Sequence, residues 1–451
     1  MSITEDIRLK FPKEFIFGTA TSSYQIEGAW NEDGKGLSIW DVFCEQAGKV
    51  LNGETGKVAC DHYHRYSEDI DLIKELGVNA YRFSISWPRI LPKGEGVVNK
   101  SGLLFYDKIL DLLNENNIKP WITIYHWDLP QVLQEKGGWE SPSIIQSFES
   151  YTKIIAEAFK DKVAGWYVLN EPFVSSFVGN AWGIHAPGKM SINDALKVAH
   201  HHMLAQGKAI IALRNIIPKN IPVGTVVNVS DQVTFHDTIN KDQFLARIKA
   251  LSNYWFLDPV FFGSYPDVEV KLPFKITPDD QELMKQKIDV LGLNYYSRSV
   301  WTPNQSTPHF QGNAIEETSF LTEKKWKIYP HGLYKLIEDI SNRYGKIPIQ
   351  ITENGAAFQD VYRDGDPTII QDDDRIYYLR DHLAEVYRAI KNGFNVNGYF
   401  YWSLLDNFEW ADGYSMKFGL IEVDPKTLER IPKKSYYYYQ DVIKNGGILY
   451  P

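Results

Sequence analysis

The chain has only two cysteines, Cys44 and Cys60, in 451 residues. That is too few for a disulfide framework, and both read as free thiols, with a single bridge between them left open. No stretch is apolar for long enough to cross a bilayer. An excess of positive charge is also missing. The formal net charge of −9 argues against nucleic acid or an anionic membrane as partner, and it disfavours a polyanionic substrate. The stretch from Met1 to Lys10 carries Glu5 and Asp6 but no apolar core, so no signal peptide is read there and a cytoplasmic protein is expected. No Pro/Ser-rich linker divides the chain.

Hydrophobic residues at 44% and charged residues at 23% are ordinary for a globular protein with a sizeable core. The aromatic share of 14%, with 13 Trp and 27 Tyr, is high, and such rings stack on the apolar faces of sugars as readily as they fill a core. Eight strand candidates follow one another: Glu14–Ala20, Ala80–Ile85, Lys119–Tyr125, Gly165–Leu169, Val223–Val227, Asp289–Leu293, the run within Lys346–Gly355 that delivers Glu353, and Asn397–Tyr401. Helical spacing separates most of them, over Asp61–Leu76, Phe105–Leu113, Ile144–Phe159, Ala195–Leu213, Gly332–Tyr344 and Arg375–Lys391. This alternation predicts an α/β chain folded as a single (β/α)8 barrel over residues 1–451, with long loops at the C-terminal ends of the strands. A doubly wound open sheet is the alternative, but no Gly-rich turn follows the first strand. The polar segments Thr302–Lys327 and Gln359–Asp374 are expected to decorate the loop face.

The residues just beyond the predicted strands are Gln25, Arg82, His126, Asn170, Glu171, Asn228, Tyr296, Glu353 and Trp402. Loops are polar in any protein, but every strand of a barrel converges on this one face, so a shared site is expected. Two of these residues, Glu171 and Glu353, are carboxylates on different strand ends, the minimum equipment for cleaving a glycosidic bond. Two histidine-rich runs, Asp61-His62-Tyr63-His64 and His200-His201-His202, lie at the start of one predicted helix and inside another. Neighbouring helical residues point in different directions, so neither is read as a metal site.

Phe15-Ile16-Phe17-Gly18-Thr19-Ala20-Thr21-Ser22-Ser23-Tyr24-Gln25-Ile26-Glu27-Gly28-Ala29 resembles the N-terminal signature of glycoside hydrolase family 1. Tyr125-His126-Trp127-Asp128-Leu129-Pro130, Asn170-Glu171-Pro172, Asn294-Tyr295-Tyr296, Ile351-Thr352-Glu353-Asn354-Gly355 and Asn407-Phe408-Glu409-Trp410 match it in order. The resemblance runs from about Phe11 to the C-terminal helix. It implies a retaining, exo-acting β-glucosidase with Glu171 as acid/base and Glu353 as nucleophile. β-Galactosides or β-fucosides are also expected as substrates. By the same carry-over Arg82 and Tyr296 support the nucleophile, and Gln25, His126, Trp127, Asn170, Asn294, Trp402, Glu409 and Trp410 bind the sugar. Phe173 and Trp326 fall on the leaving-group side. Trp402 and Trp410 can equally be core packing. Retention requires the two carboxyls about 5–5.5 Å apart. Arg82 is expected to hold Glu353 as an anion, while Glu171, facing that anion, keeps its proton longer.

Phospho-glycosidases of the family place Ser, Lys and Tyr where this chain has Glu409, Met416 and Phe418, so a 6-phosphate substrate is not expected. The chain also departs from the family's usual pattern at Val168, at Phe173, at Met416-Lys417, and at Lys324-Lys325-Trp326, which replaces a Met-Gly-Trp run. These departures bear on the leaving-group preference. No cofactor and no metal are expected, and the partner is a small β-glycoside. A homo-oligomer is compatible with the sequence. A non-catalytic sugar-binding barrel is the reading from another class, and the presence of both glutamates argues against it.

Overall fold

A computed structural model describes residues 7–235, 240–307, 309–363 and 366–450. Eight strands close into a parallel barrel: β1 (Ile16–Ala20), β2 (Ala80–Ser84), β3 (Lys119–Tyr125), β4 (Gly165–Asn170), β5 (Val223–Asn228), β6 (Val290–Asn294), β7 (Ile349–Asn354) and β8 (Val396–Trp402). Neighbours in sequence are neighbours in the sheet, and β8 closes on β1 with Phe400 opposite Gly18. The strands read as near-continuous apolar runs because a parallel barrel buries both faces, one on the helices and one on the interior. That interior is filled by Trp121, Tyr167, Val226, Val290 and Phe400. Gly165 makes room for the Trp121 ring, which would lie 2.3 Å from a Cβ at that position.

The outer layer comprises α1 (His62–Leu76), α2 (Lys100–Glu115), α3 (Ile144–Phe159), α4 (Ile192–Ile216), α5 (Pro330–Tyr344), α6 (Asp373–Lys391) and α7 (Lys434–Asn445). Each turns an apolar stripe inward, such as Phe148, Tyr151, Ile155 and Phe159 of α3, and leaves its charges outside. Stop signals are visible in the backbone: α1 ends at Gly77, whose φ is 81°. Between β5 and β6 the chain forms shorter helices at Lys241–Lys249, Asp258–Phe262 and Pro278–Met284, which hydrophobic spacing had not marked.

The two polar segments are more ordered than plain loops. Arg298–Pro303 pairs with Gly312–Ile315 and with Asp231–Val233, and Val361–Arg363 pairs with Asp366–Gln371. Pro308, Asp364 and Gly365, inside those segments, lie outside the described residues, as does the whole stretch before Ile7. The chain ends meet: Ile7–Lys10 runs antiparallel to Gly447–Tyr450. Cys44 and Cys60 are both free and buried. Among the described residues no helix is long and apolar enough to cross a membrane.

Candidate active site

Glu353 is the next-to-last residue of β7, and Glu171 follows the last residue of β4. Both carboxyls are buried, at 3% and 6% exposure, yet both line one cavity of about 570 Å³ at the C-terminal mouth of the barrel. Their surroundings differ. Arg82, from β2, donates from Nη1 to Glu353 Oε1 at 2.6 Å, and Tyr296 Oη donates to Glu353 Oε2 at 2.6 Å. Among the described residues Glu171 is paired with no cation: Asn294 Nδ2 donates to its Oε1 at 2.6 Å. Burial, together with the charge of Glu353, pushes the Glu171 carboxyl well above the usual carboxylate range, with Asn294 and Arg82 opposing the rise.

A chain of hydrogen bonds fixes the two acids relative to each other. Arg82 Nη2 donates to Asn170 Oδ1 at 2.7 Å, and Asn294 Nδ2 donates to the same oxygen at 3.1 Å. Thr352 Oγ1 donates to Asn294 Oδ1 at 2.7 Å and so turns the Asn294 amide toward Glu171. With Oδ1 of Asn170 taken by two donors, its Nδ2 faces His126 Nε2 at 3.1 Å, and that nitrogen must accept. The proton of His126 therefore sits on Nδ1, a buried atom with no hydrogen-bond partner among the described residues. Burial and the neighbouring Arg82 charge keep this imidazole neutral.

Of the sequence-predicted residues, His126, Trp127, Phe173, Asn228, Asn294, Tyr296, Trp326, Trp402, Glu409 and Trp410 line the cavity with the two acids. Gln25, Arg82 and Asn170 are not among the lining residues, and hydrogen bonds tie them to three that are, Glu409, Glu353 and His126. Gln25 Nε2 donates to Asn407 Oδ1 and to Phe408 O, each at 3.0 Å, and reaches Glu409 Oε2 at 3.4 Å. Trp402 is 3% exposed, stacks near the His126 ring and belongs to the same buried cluster as Phe400 and Phe418, so the same ring serves core and cavity wall. Several backbone positions here adopt positive φ without glycine, Trp127 at 76°, Glu171 at 46° and Trp410 at 53°, a strain that collects where side chains must be aimed.

Sequence reasoning missed the wider mouth. Trp182, His185, Gln232, Arg298 and Trp301 also line the cavity. Trp182 and His185 come from the segment after β4, and Gln232, Arg298 and Trp301 from the short paired strands Asp231–Val233 and Arg298–Pro303, whose composition does not distinguish wall from solvent. Lys324 was noted only as a departure from a pattern, and it lines the cavity too. The histidine runs have separate partners: His62 pairs with Asp69, His64 with Asp61, His200 with Tyr265 and His202 with Ser176. Among the described residues no group of three or more His, Cys, Asp or Glu could hold a metal ion.

A barrel presenting two buried carboxyls of contrasted environment in one aromatic-walled cavity has the equipment of a glycoside-cleaving enzyme. The family profile described as "Glycosyl hydrolase family 1" matches residues 7–448. Beta-glucosidase A of Acetivibrio thermocellus is 45% identical over 450 residues, covering 98% of this chain and 99% of the relative. A 1,4-beta-D-glucan glucohydrolase of Thermotoga neapolitana is 44% identical, covering 97% of this chain and 99% of its own. The solved beta-glucosidase from Thermotoga maritima in complex with glucoimidazole superposes with a TM-score of 0.93 at 43% identity, covering 98% of this chain and 100% of that one. The chain belongs to glycosyl hydrolase family 1.

Proposed function

We propose that this protein is a retaining, exo-acting β-glucosidase. It removes terminal non-reducing β-D-glucosyl residues from β-glucosides and cello-oligosaccharides, and β-galactosides or β-fucosides serve as secondary substrates. The observation that carries this reading is the asymmetry of the acid pair: a cation and a phenol converge on Glu353, while Glu171 is buried, uncompensated and proton-retaining. The names of the relatives support glucose as the sugar.

In this reading Glu353 attacks the anomeric carbon while Glu171 gives its proton to the departing oxygen. Forming the glycosyl ester removes the negative charge of Glu353. That charge is one of the two main causes holding the Glu171 proton, so Glu171 becomes a stronger acid as the ester forms. It then serves as the base that takes a proton from water. Arg82 stays in place through Asn170 Oδ1 and Thr352 O, so the site keeps its shape between the two displacements. His126, Asn294, Glu409 and Trp402 hold the sugar, and the aromatic groups Phe173 and Trp326 face the leaving group. Lys324 sits on Glu409, but Asp412 sits on Lys324 in turn, so the trio carries a net negative charge that disfavours a 6-phosphate.

A panel of 4-nitrophenyl β-glycosides with and without 6-phosphate, together with cellobiose, tests the proposal. Turnover of the glucoside with the β-anomer of glucose as first product is expected. A first-formed α-anomer, or preference for the phosphorylated sugar, overturns it.

A further inference from the structure

Glu409 is a buried carboxylate in the cavity wall, at 8% exposure, and both its oxygens already have partners. Gln25 Nε2 reaches Oε2 at 3.4 Å. Lys324 Nζ, from the loop before α5, reaches Oε1 at 3.1 Å and also bonds Asp412. The Lys324 ammonium lies 5.3 Å from the Trp326 ring centre, and its side chain is 15% exposed. It therefore bridges two acids of the loop after β8 from a loop that belongs to a different βα unit. The family's usual residue at this position is Met, which can neither donate nor carry charge.

We propose that Lys324 is a positioning residue for sugar binding: it clamps Glu409 in one orientation and keeps it a charged acceptor inside the cavity. The proposal rests on the reading of Glu409 as a sugar-binding group. A carboxylate buried this deeply accepts strong hydrogen bonds only while ionised, and an adjacent ammonium favours the ionised form. The charged and titratable groups facing Glu409 are Lys324 and Asp412 beside it, with Glu353, Glu171 and Tyr296 across the cavity. His185, in the same wall, is kept neutral by burial and by the Lys324 charge. Lys324 is thus the only cation in direct contact with Glu409 among the described residues, and the acids around it all oppose its ionisation. Burial raises the Glu409 carboxyl above its ordinary value, and Lys324 is the main influence pulling it back.

The test is binding of thiocellobiose, an uncharged sulfur-linked sugar, followed by titration calorimetry from pH 4.5 to 8.5 on K324M, K324Q, K324R and the parent enzyme. The expected result is an acid limb of binding moved up by about one pH unit or more in K324M and K324Q, which makes binding about tenfold weaker below the limb. Affinity near pH 8 stays close to that of the parent, and K324R restores the limb. A uniform loss at every pH, or no shift in either neutral variant, makes Lys324 a structural tether only and overturns the proposal. An E409Q variant separates the two layers. If it binds thiocellobiose like the parent, the reading of Glu409 as sugar acceptor fails, whatever the lysine variants do.

Discussion

Glu171 and Glu353 carry identical side chains on two strand ends, so any difference in their chemistry must come from neighbours. Glu353 has one donor on each oxygen, Arg82 and Tyr296, which leaves a lone pair on each for attack. For E353A we expect loss of turnover that added azide restores, with an α-glucosyl azide as product by NMR; a β-azide contradicts the nucleophile role. Among the described residues Glu171 has only a neutral amide as donor. E171A should lose far more activity toward cellobiose than toward a dinitrophenyl glucoside, whose leaving group needs no proton. Equal losses for both speak against Glu171 as the acid. The pH profile of the parent enzyme carries the same information. The burial and charge that hold the Glu171 proton push its carboxyl up to about 8. Activity on unactivated substrates therefore falls as pH rises through that region, because the proton donor is being lost. That descending limb should be absent from E171A assayed on the activated substrate.

At the scale of the strand, both acids sit where regular pairing breaks. The register of β7 shifts between Ile351 and Glu353 against β6, and between Ile351 and Asn354 against β8. The register of β4 shifts between Tyr167 and Asn170 against β5. An irregularity of this kind bends a strand end and re-aims its side chains, so it takes part in setting where the carboxyls point. Gly355 then lets the chain leave β7 against the end of β8: a Cβ there would lie 1.7 Å from the Trp402 carbonyl oxygen. G355A should force these ends apart. We expect kcat to fall at least tenfold and the thermal midpoint to drop, measured by steady-state kinetics and a thermal melt; a variant with parental kcat would mean the close approach does not position Glu353. This level is also where sequence reading stops. The apolar runs of β1 to β8 and the residues at their tips are local features, so the barrel and the acid pair were legible directly. The bulges, the Lys324–Glu409 contact and the pairing of Ile7–Lys10 with Gly447–Tyr450 each depend on a distant segment, and no local pattern encodes them. Gln25 shows the same limit. Its motif is visible, but its hydrogen bonds to Asn407 and Phe408 depend on a segment more than three hundred residues away.

For the molecule as a whole, a buried acid that must keep its proton makes native stability depend on pH. In the unfolded chain Glu171 ionises near the ordinary glutamate value of about 4.3. In the native barrel it holds its proton up to about 8. Between those two values the native state binds more protons than the unfolded state, so this residue makes stability fall as pH rises. Above the native value the penalty is fully developed and no longer changes. The amide of an E171Q variant has nearly the same shape, can still accept from Asn294, and does not titrate. E171Q should therefore match the parent near pH 4, gain on it steadily from pH 5 to pH 8, and hold a constant advantage beyond, in thermal midpoints taken across that range. The fold carries the arrangement that equips Glu171 as an acid at a cost in stability. A difference between the two proteins that stays flat from pH 4 to pH 9 would mean that Glu171 ionises as freely in the barrel as in the unfolded chain, and the asymmetry of the acid pair would then have to arise from some other group.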